Sequence, residues 1–156
     1  MNKKNLLIII CSFSMSAISS GVVNENFNSL DALVVHKTPA CGCCKKWMKH
    51  LEENGFNLRP EDHQNLNSIK DIHNIKSEYR SCHTAVSSDG FIFEGHIPSK
   101  YIKQFLLESY DDAIGLSVPG MPLGSPGMEF ENRFMPYEVL ILFKDGSSKV
   151  YAEVRK

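Results

Sequence analysis

The chain has 156 residues, 42% of them hydrophobic, and its 17 lysines and arginines nearly balance its 18 acids, giving a net charge of -1. This length and apolar content suit a single compact domain with one core. Because the basic residues are scattered, no positively charged face is expected, which argues against binding to nucleic acid or to an anionic membrane surface.

The first residues, 1-19, have the three-part layout of a secretory signal peptide. Two lysines precede the apolar stretch 6-13, which is too short to span a bilayer comfortably, and small residues follow it. We predict cleavage after Ser19, which removes Cys11 and leaves 20-156 as one exported domain without a membrane span. In an oxidising compartment, a cysteine pair without metal tends to close as a disulfide.

Residues 32-36 form a β-branched run that is typical of a strand buried on both faces, and Thr38-Pro39-Ala40 ends it. The following helix has apolar side chains at i, i+3, i+4 and i+7, and Asn54-Gly55 supplies a left-handed stop. Its apolar positions are Cys44, Trp47, Met48 and Leu51.

A short second strand is predicted at Phe56 and Leu58, where apolar residues alternate with polar ones. A weaker second helix follows, with its apolar positions at Leu66, Ile69, Ile72 and Ile75.

The tight-turn signal Ser88-Asp89-Gly90 lies between the apolar runs 84-87 and 91-97, and therefore predicts a β-hairpin. A third helix begins near Pro98, a favoured residue in a first helical turn. Its predicted buried stripe consists of Tyr101, Ile102, Phe105 and Leu106.

The predicted order, β-α-β-α-β-β-α, is that of the thioredoxin fold, with Cys41 and Cys44 where thioredoxins carry their CxxC pair. The slot just before the third strand of that fold packs against the CxxC loop and usually ends in a cis-proline. Here the slot reads Ser81-Cys82-His83-Thr84. The missing proline weakens the case for disulfide exchange with protein substrates, and a fourth sulfur is expected to face the other three.

The C-terminal part, 111-156, is predicted to extend this fold. It contains the proline- and glycine-rich loop 115-128, and long ordered loops are uncommon unless they serve a site. Two apolar runs, 137-143 and 149-154, predict a final hairpin that extends the sheet.

Cys41, Cys43 and Cys44 lie at a predicted helix N-terminus, whose free N–H groups and partial positive charge stabilise thiolates. With Cys82 they form a donor set suited to Cu(I), a soft cation for which two or three sulfur ligands suffice, so that closely spaced thiolates can bridge several ions. Zinc is the rival metal. Structural zinc sites, however, draw two pairs of ligands, and adjacent Cys43 and Cys44 cannot easily face one tetrahedral ion.

Two metal-free alternatives remain open at this point. In the first, the chain is a thiol-disulfide oxidoreductase with Cys41 as the exposed nucleophile and Cys44 as the resolving thiol. In the second, Cys41 and Cys44 form a stabilising disulfide, while Cys43 and Cys82 are buried bystanders. Cys43→Ser would then be silent in every metal or redox assay.

Four further side chains are candidates for the same site. Met121 and Met128 each follow a glycine, and their thioethers could bind copper, cover the sulfurs or simply fill gaps. His83 is adjacent to Cys82 and His96 lies near the end of the hairpin, where a neutral imidazole could bind copper or accept a proton from a thiol.

The other residues of these types receive structural interpretations. Met48 and Met135 are expected in the core, Trp47 is expected to pack and could shield the sulfurs, and His36 is expected to be a hydrogen-bonded core histidine. Solvated surface positions are expected for His50, His63 and His73.

Four motifs stand in order along the chain. They are Cys41-Gly42-Cys43-Cys44 with Trp47 and Leu51, Ser81-Cys82-His83-Thr84-Ala85, Glu94-Gly95-His96-Ile97-Pro98, and Val118-Pro119-Gly120-Met121-Pro122 through to Gly127-Met128-Glu129. Together they resemble the CopG-type copper-resistance proteins, which are exported bacterial metal-binding proteins. The resemblance spans essentially the whole mature chain. It implies a thioredoxin-like fold, a role in periplasmic copper tolerance, and a copper cluster bridged by Cys41, Cys43, Cys44 and Cys82.

The leading hypothesis is therefore a periplasmic protein that holds Cu(I) in a multinuclear four-thiolate cluster. It would buffer the metal or pass electrons, with copper cycling between Cu(I) and Cu(II). A copper chaperone that docks on an efflux system is a further candidate. The expected partners are copper ions and a periplasmic efflux or electron-transfer protein, with no nucleic acid.

Overall fold

The computed structural model describes residues 30–156, so the predicted signal peptide, 1-19, and the start of the predicted domain lie outside the described residues. Within 30–156 the chain is a mixed α/β structure, which confirms the predicted α/β class. Seven strands of this part form one sheet. None of its helices combines the length and the apolar character needed to cross a membrane.

Strands and helices alternate at first and give way to strands at the end. In chain order they are β1 (Leu30–Lys37), α1 (Gly42–Glu53), β2 (Phe56–Asp62), α2 (Asn67–Ile72), a 3-10 turn (Ser77–Tyr79), β3 (Thr84–Val86), β4 (Ile92–Glu94), α3 (Ser99–Leu107), β5 (Ala113–Ser117), β6 (Tyr137–Phe143) and β7 (Ser148–Val154).

The sheet order is β2-β1-β3-β4-β5-β6-β7. β1 pairs in parallel with β2 and antiparallel with β3, so that His36 lies opposite both Glu61 and Thr84. The end of β1 therefore lies beside the beginning of β3. This pairing brings the connection between β1 and α1 next to the residues that precede β3.

The main core lies on one face of the sheet, where α1 and α3 pack. Trp47 and Leu51 of α1 join Ile102 and Phe105 of α3 in this cluster. The strands supply alternate residues, among them Leu33, Val35, Ala85, Phe93, Leu116, Val139 and Ile141. A smaller cluster centred on Ile75, Ile92 and Leu142 lies apart from it.

Helix α1 agrees closely with the sequence prediction. Its four predicted apolar positions are the four buried residues of the helix. Asn54 is the C-cap and Gly55 has φ +86°, in the left-handed region that ends helices. The C-terminal hairpin is also confirmed, since β6 and β7 pair antiparallel and extend one end of the sheet.

Helix α2 departs from its prediction in part, although Leu66 and Ile75 beside it are buried as expected. It has only six residues, and Ile72, which was expected to be buried, is 77% exposed. Its buried residue is Lys70, whose Nζ donates to Glu94 Oε1 and to Thr84 Oγ1, the latter at 3.0 Å. An ion pair, which apolar periodicity does not register, therefore decides which side of this helix faces inward.

Two strands also differ from expectation. β1 was expected to be buried on both faces, but Leu33 and Val35 are buried whereas Ala32 is exposed and His36 is half-buried. β5 was not predicted, because its central residue, Gly115, reads as the start of the following loop. Gly115 lies so close to β4 that a Cβ there would come within 1.8 Å of the Ile92 carbonyl oxygen. Close backbone approach explains the glycine inside this strand.

Candidate metal centre

Three cysteines surround the N-terminus of α1. Cys41 is the N-cap residue, and its Sγ accepts a hydrogen bond from the Cys44 N–H at 3.3 Å. The Cys41 N–H donates to the Thr38 carbonyl at 3.1 Å and so closes the turn that leads from β1 into the helix. Cys41 and Cys43 are half-buried and Cys44 is fully buried. The helix start thus gathers three sulfurs at one edge of the core.

The fourth sulfur arrives from the segment before β3. Cys82 Sγ lies 3.8 Å from Cys43 Sγ and 3.6 Å from Cys44 Sγ, and Cys43 Sγ lies 3.5 Å from Cys41 Sγ. All four Sγ atoms are within 4.8 Å of one another, so this group could hold a metal ion. The antiparallel pairing of β1 with β3 produces this proximity across a sequence separation of 38 residues between Cys44 and Cys82.

Cys41 and Cys44 are joined by a disulfide, with their Cα atoms 5.3 Å apart, whereas Cys43 and Cys82 are free. Both metal-free alternatives involve this Cys41–Cys44 pair. The sulfurs of a disulfide become thiolate ligands only after reduction. Cys43 and Cys82 are half-buried rather than buried, which departs from the bystander alternative.

Two imidazoles contact the fourth sulfur. Cys82 Sγ lies 3.1 Å from His96 Nε2 and 3.3 Å from His83 Nδ1. His96 Nδ1 lies 2.9 Å from the Pro126 carbonyl oxygen, which can only accept, so Nδ1 carries the ring proton and the Nε2 lone pair faces the sulfur. Metal-binding histidines commonly donate their second ring N–H to a carbonyl in this way.

His83 is fully buried, and its ring lies 4.3 Å from the Trp47 ring, centroid to centroid. Burial lowers the pKa of both His83 and His96, so both rings are neutral at neutral pH, as ligand imidazoles must be. Among residues 30–156, His83 Nε2 is a buried side-chain nitrogen with no hydrogen-bond partner. Such a nitrogen is costly to bury, so it is a candidate to pair with a further polar group or ion.

Burial is the main cause that raises the pKa of the Cys82 thiol to about 12, and the neighbouring Cys43 raises it further. Without metal, Cys82 is therefore protonated at neutral pH and is a poor nucleophile. A soft cation replaces that proton on binding, because thiol ligands deprotonate when they are coordinated. The environment of Cys82 therefore disfavours free thiolate chemistry in the absence of metal.

A buried carboxylate holds the Cys82 segment in place. Glu94 Oε1 accepts the Ser81 N–H at 2.6 Å, and Glu94 Oε2 accepts the Thr84 hydroxyl at 2.6 Å. Lys70 completes the network through its ion pair with Glu94, and both side chains are almost completely buried. Glu94 thus holds the backbone of Ser81 before Cys82 and the side chain of Thr84 after His83. The sequence motif includes Glu94, but nothing in the sequence pairs it with Lys70.

The proline- and glycine-rich loop covers the site from the other side. Gly127 has φ +86°, and a Cβ there would lie 2.7 Å from the Cys43 carbonyl oxygen and 2.8 Å from the Trp47 backbone nitrogen. The Gly127 N–H donates to both oxygens of Glu129, at 3.0 and 2.9 Å. The loop backbone therefore lies directly on the first turns of α1.

The methionines divide differently from expectation. Met48 is buried in the core as predicted, but Met135, also expected in the core, is 53% exposed. Met121 is 52% exposed and Met128 is half-buried. Copper binding by either of these two thioethers remains a prediction.

Three histidines that were expected to be solvated on the surface are half-buried instead: His50, His63 and His73. His50 Nε2 accepts the Ser99 N–H at 3.1 Å, and His63 contacts His36. His36 is half-buried on the face of β1 that lies away from the main core, and is therefore no core histidine.

We expect Gly127→Ala to lower the free energy of unfolding by about 1–3 kcal/mol through forced repacking against α1, in addition to roughly 1 kcal/mol for the left-handed backbone. Gly120→Ala is the matched control, because Gly120 has φ +67° and open space around its Cβ position. Urea unfolding of both variants measures the difference. Equal losses in the two variants would show that contact between the loop and α1 contributes nothing.

Comparison with known proteins shows which proteins this chain is related to. A family model described as "Protein of unknown function, DUF411" matches residues 79–128, which carry Cys82, His83, His96 and the loop. No curated protein matches the chain.

Two solved structures, described as "Copper resistance protein copG- Form 2" and "Copper resistance protein copG- Form 1", are each 40% identical to the chain with a TM-score of 0.75. The matches cover 80% and 81% of this chain and 98% of each of those chains. With this identity over nearly the full length of both structures, and with a four-cysteine cluster in place, the chain belongs to the CopG family of copper resistance proteins.

Proposed function

We propose that this is an exported copper-resistance protein that holds Cu(I) in a cluster bridged by Cys41, Cys43, Cys44 and Cys82. The observation that carries the proposal is the convergence of four Sγ atoms within 4.8 Å of one another, from two separate segments of a CopG-family chain. His83 and His96 lie against the same sulfur and are the nearest nitrogen donors.

The donor set favours a soft, multinuclear cargo. Cuprous copper prefers thiolate and accepts two or three ligands, so one sulfur can serve two ions. Cys82 lies within 4 Å of both Cys43 and Cys44, as a bridging thiolate requires. Zinc would need four ligands arranged around one centre, and adjacent Cys43 and Cys44 fit that arrangement poorly.

Copper loading is coupled to disulfide chemistry. Opening the Cys41–Cys44 disulfide takes two electrons and two protons and yields two thiols, which lose their protons when they bind Cu(I). A dithiol reductant, or two Cu(I) ions that become Cu(II), can supply the electrons. This requirement links copper binding to Cu(I)/Cu(II) cycling and to a periplasmic electron-transfer partner. The other proposed partner is a copper efflux system that receives the bound copper.

The thioredoxin-like assignment is part of the same proposal. Its support is the order β2-β1-β3-β4 with β1 parallel to β2, and the location of the Cys41–Cys44 pair between β1 and α1. The signal peptide 1-19, the mature domain 20-156 and the periplasmic location are also proposed, on the composition of the N-terminal segment.

Anaerobic titration of the reduced protein with Cu(I), followed by gel filtration and metal analysis, tests the function. We expect more than one copper ion per chain, with sulfur as the dominant ligand in X-ray absorption spectra. A matched titration with Zn²⁺ provides the comparison. Tighter retention of zinc, or copper bound mainly through nitrogen and oxygen, would contradict the proposal.

A second candidate is a thiol-disulfide oxidoreductase, which the Cys41–Cys44 disulfide and the half-buried position of Cys41 favour. The segment that would carry the cis-proline of such enzymes has none, and residues 30–156 contain no cis peptide bond. Reduction of insulin by the copper-free protein separates the two functions. Robust turnover without copper would favour the oxidoreductase.

A further inference from the structure

Three side chains of ligand type meet on the face of the sheet that lies away from the main core. His36 is near the end of β1, Glu61 is near the end of β2, and His63 follows β2 directly. The parallel register sets His36 opposite Glu61, and the His63 N–H donates to the Lys37 carbonyl at 2.8 Å, continuing the pairing. Residues 61 and 63 are two apart, so strand alternation directs both side chains to the face of His36.

The distances between their polar atoms suit one shared ion. His36 Nδ1 lies 2.9 Å from His63 Nε2 and 3.5 Å from Glu61 Oε2, and the three atoms are all within 4.8 Å of one another. Bonds of about 2.0–2.2 Å from one metal to two imidazoles and a carboxylate, at angles between square and tetrahedral, separate the ligand atoms by about 2.9–3.5 Å. The two pairs that include His36 fall within this range.

The protonation state of His36 is that of a metal ligand. Burial lowers the pKa of His36, as do His63 and His73 nearby, while Glu61 opposes the shift. His36 is therefore neutral at neutral pH, and a neutral imidazole is the form that binds metals. Glu61 directs its other oxygen, Oε1, to Arg59 at 3.3 Å, which leaves Oε2 facing the histidine.

The cluster is open to solvent. His36, Glu61 and His73 line a groove of about 420 Å³. His73 is the C-cap residue of α2 and brings a second imidazole to this groove. A hydrated ion can therefore reach the cluster without opening the fold, and all three ligand residues are half-buried rather than freely solvated.

We propose that His36, Glu61 and His63 form a second metal site, separate from the cysteines, for a borderline divalent cation, with Cu²⁺ bound more tightly than Zn²⁺. Imidazole and carboxylate suit divalent copper and zinc, whereas thiolates select Cu(I), and the affinity order of divalent first-row metals peaks at copper. The site does not depend on metal at Cys41, Cys43, Cys44 or Cys82. The competing structural explanation is a bare histidine–histidine hydrogen bond that joins the ends of β1 and β2.

The test uses the full mature chain with Cys43→Ser and Cys82→Ser, and with the Cys41–Cys44 disulfide closed, so that free thiols neither bind nor reduce the probe. Titration with Cu²⁺ is followed by calorimetry and by electron paramagnetic resonance. We expect one tight Cu²⁺ per chain, with hyperfine coupling to imidazole nitrogen. His63→Gln and Glu61→Gln should each weaken Cu²⁺ binding at least about 10-fold. Loss of a residue that only hydrogen-bonds to a metal ligand already lowers metal affinity by about that factor.

His50→Gln is the matched control, because His50 is a half-buried imidazole on α1 that contacts Ser99 rather than this cluster. It should leave the affinity unchanged. Equal weakening in His50→Gln and His63→Gln, or no weakening in His63→Gln, would overturn the proposal. Thermal unfolding without metal checks that each variant is folded. If His63→Gln does not fold, the Cu²⁺ affinity of Glu61→Gln alone tests the proposal, because glutamine preserves the shape of the glutamate side chain. The background lacks two cluster cysteines, so this result is independent of Cu(I) binding.

Discussion

Cys82→Ser is expected to lower the amount of Cu(I) that the reduced protein retains after anaerobic gel filtration. Cys82 is the one proposed ligand that comes from outside the α1 segment, and its Sγ lies 3.8 and 3.6 Å from two of the other sulfurs. A serine oxygen is a poor ligand for a soft cation, so the ions bridged by this thiolate should be lost. We expect the copper affinity of the remaining ions to fall at least about 10-fold, as measured by competition with a Cu(I) chelator.

Met135→Leu is the control, because it also removes a sulfur but from a side chain that is 53% exposed. Copper content should match that of the wild-type protein. The thermal unfolding temperature of Cys82→Ser without copper should change little, since Cys82 is half-buried and makes no disulfide. An unchanged copper content in Cys82→Ser would remove Cys82 from the cluster and leave only the three sulfurs of the helix start.

Lys70→Met is expected to lower the free energy of unfolding by about 3–5 kcal/mol, because it leaves the carboxylate of Glu94 buried without its cation. The double variant Lys70→Met/Glu94→Leu should recover much of this loss, because a buried ion pair is often replaced by apolar side chains at little cost. Lys46→Met, at an exposed position on α1, is the control and should change stability little. Urea unfolding measures all three variants.

The destabilisation should also depend on pH. Burial raises the pKa of Glu94 above its ordinary value of 4.5, against the opposing effects of Lys70, Thr84 and the Ser81 N–H. A carboxyl group whose pKa is raised on folding contributes stability that is fully present below its unfolded-state pKa. That contribution is lost as the pH rises through its folded-state pKa. Lys70→Met should therefore be less destabilising near pH 4 than at pH 7. A pH-independent loss would mean that removing Lys70 does not change the protonation of Glu94 in the folded protein.

The sequence predicted those parts of the fold in which apolar spacing and turn residues agree. Helix α1 is the best case, because its buried stripe, its cysteine N-terminus and its Asn54-Gly55 end point to the same element. Helix α2 was predicted only in part. Leu66 and Ile75 are buried as expected, but the helix also buries Lys70, whose partner Glu94 lies 24 residues away in sequence. Periodicity ranks lysine as exposed and isoleucine as buried, and in α2 both expectations are wrong for Lys70 and Ile72.

The site was predictable to a similar degree. Local spacing grouped Cys41, Cys43 and Cys44, and the expected slot before β3 added Cys82. The four sulfurs do lie together, and their role as ligands stays a prediction. The sequence could not reveal that Pro126 fixes the tautomer of His96, because that contact crosses 30 residues and uses a backbone oxygen. Nor could it assemble His36, Glu61 and His63, since that cluster depends on the register between two strands.

The contact between Pro126 and His96 gives the loop a second consequence. The carbonyl of Pro126 orients the imidazole that faces Cys82, while Gly127 beside it lies on the first turns of α1. Thermodynamic reciprocity then applies: if a docked loop strengthens metal retention through His96, a loaded site must strengthen loop docking by the same factor. Separation of this loop from α1 would then weaken metal binding by that same factor, so the position of the loop and the affinity of the site are one coupled equilibrium.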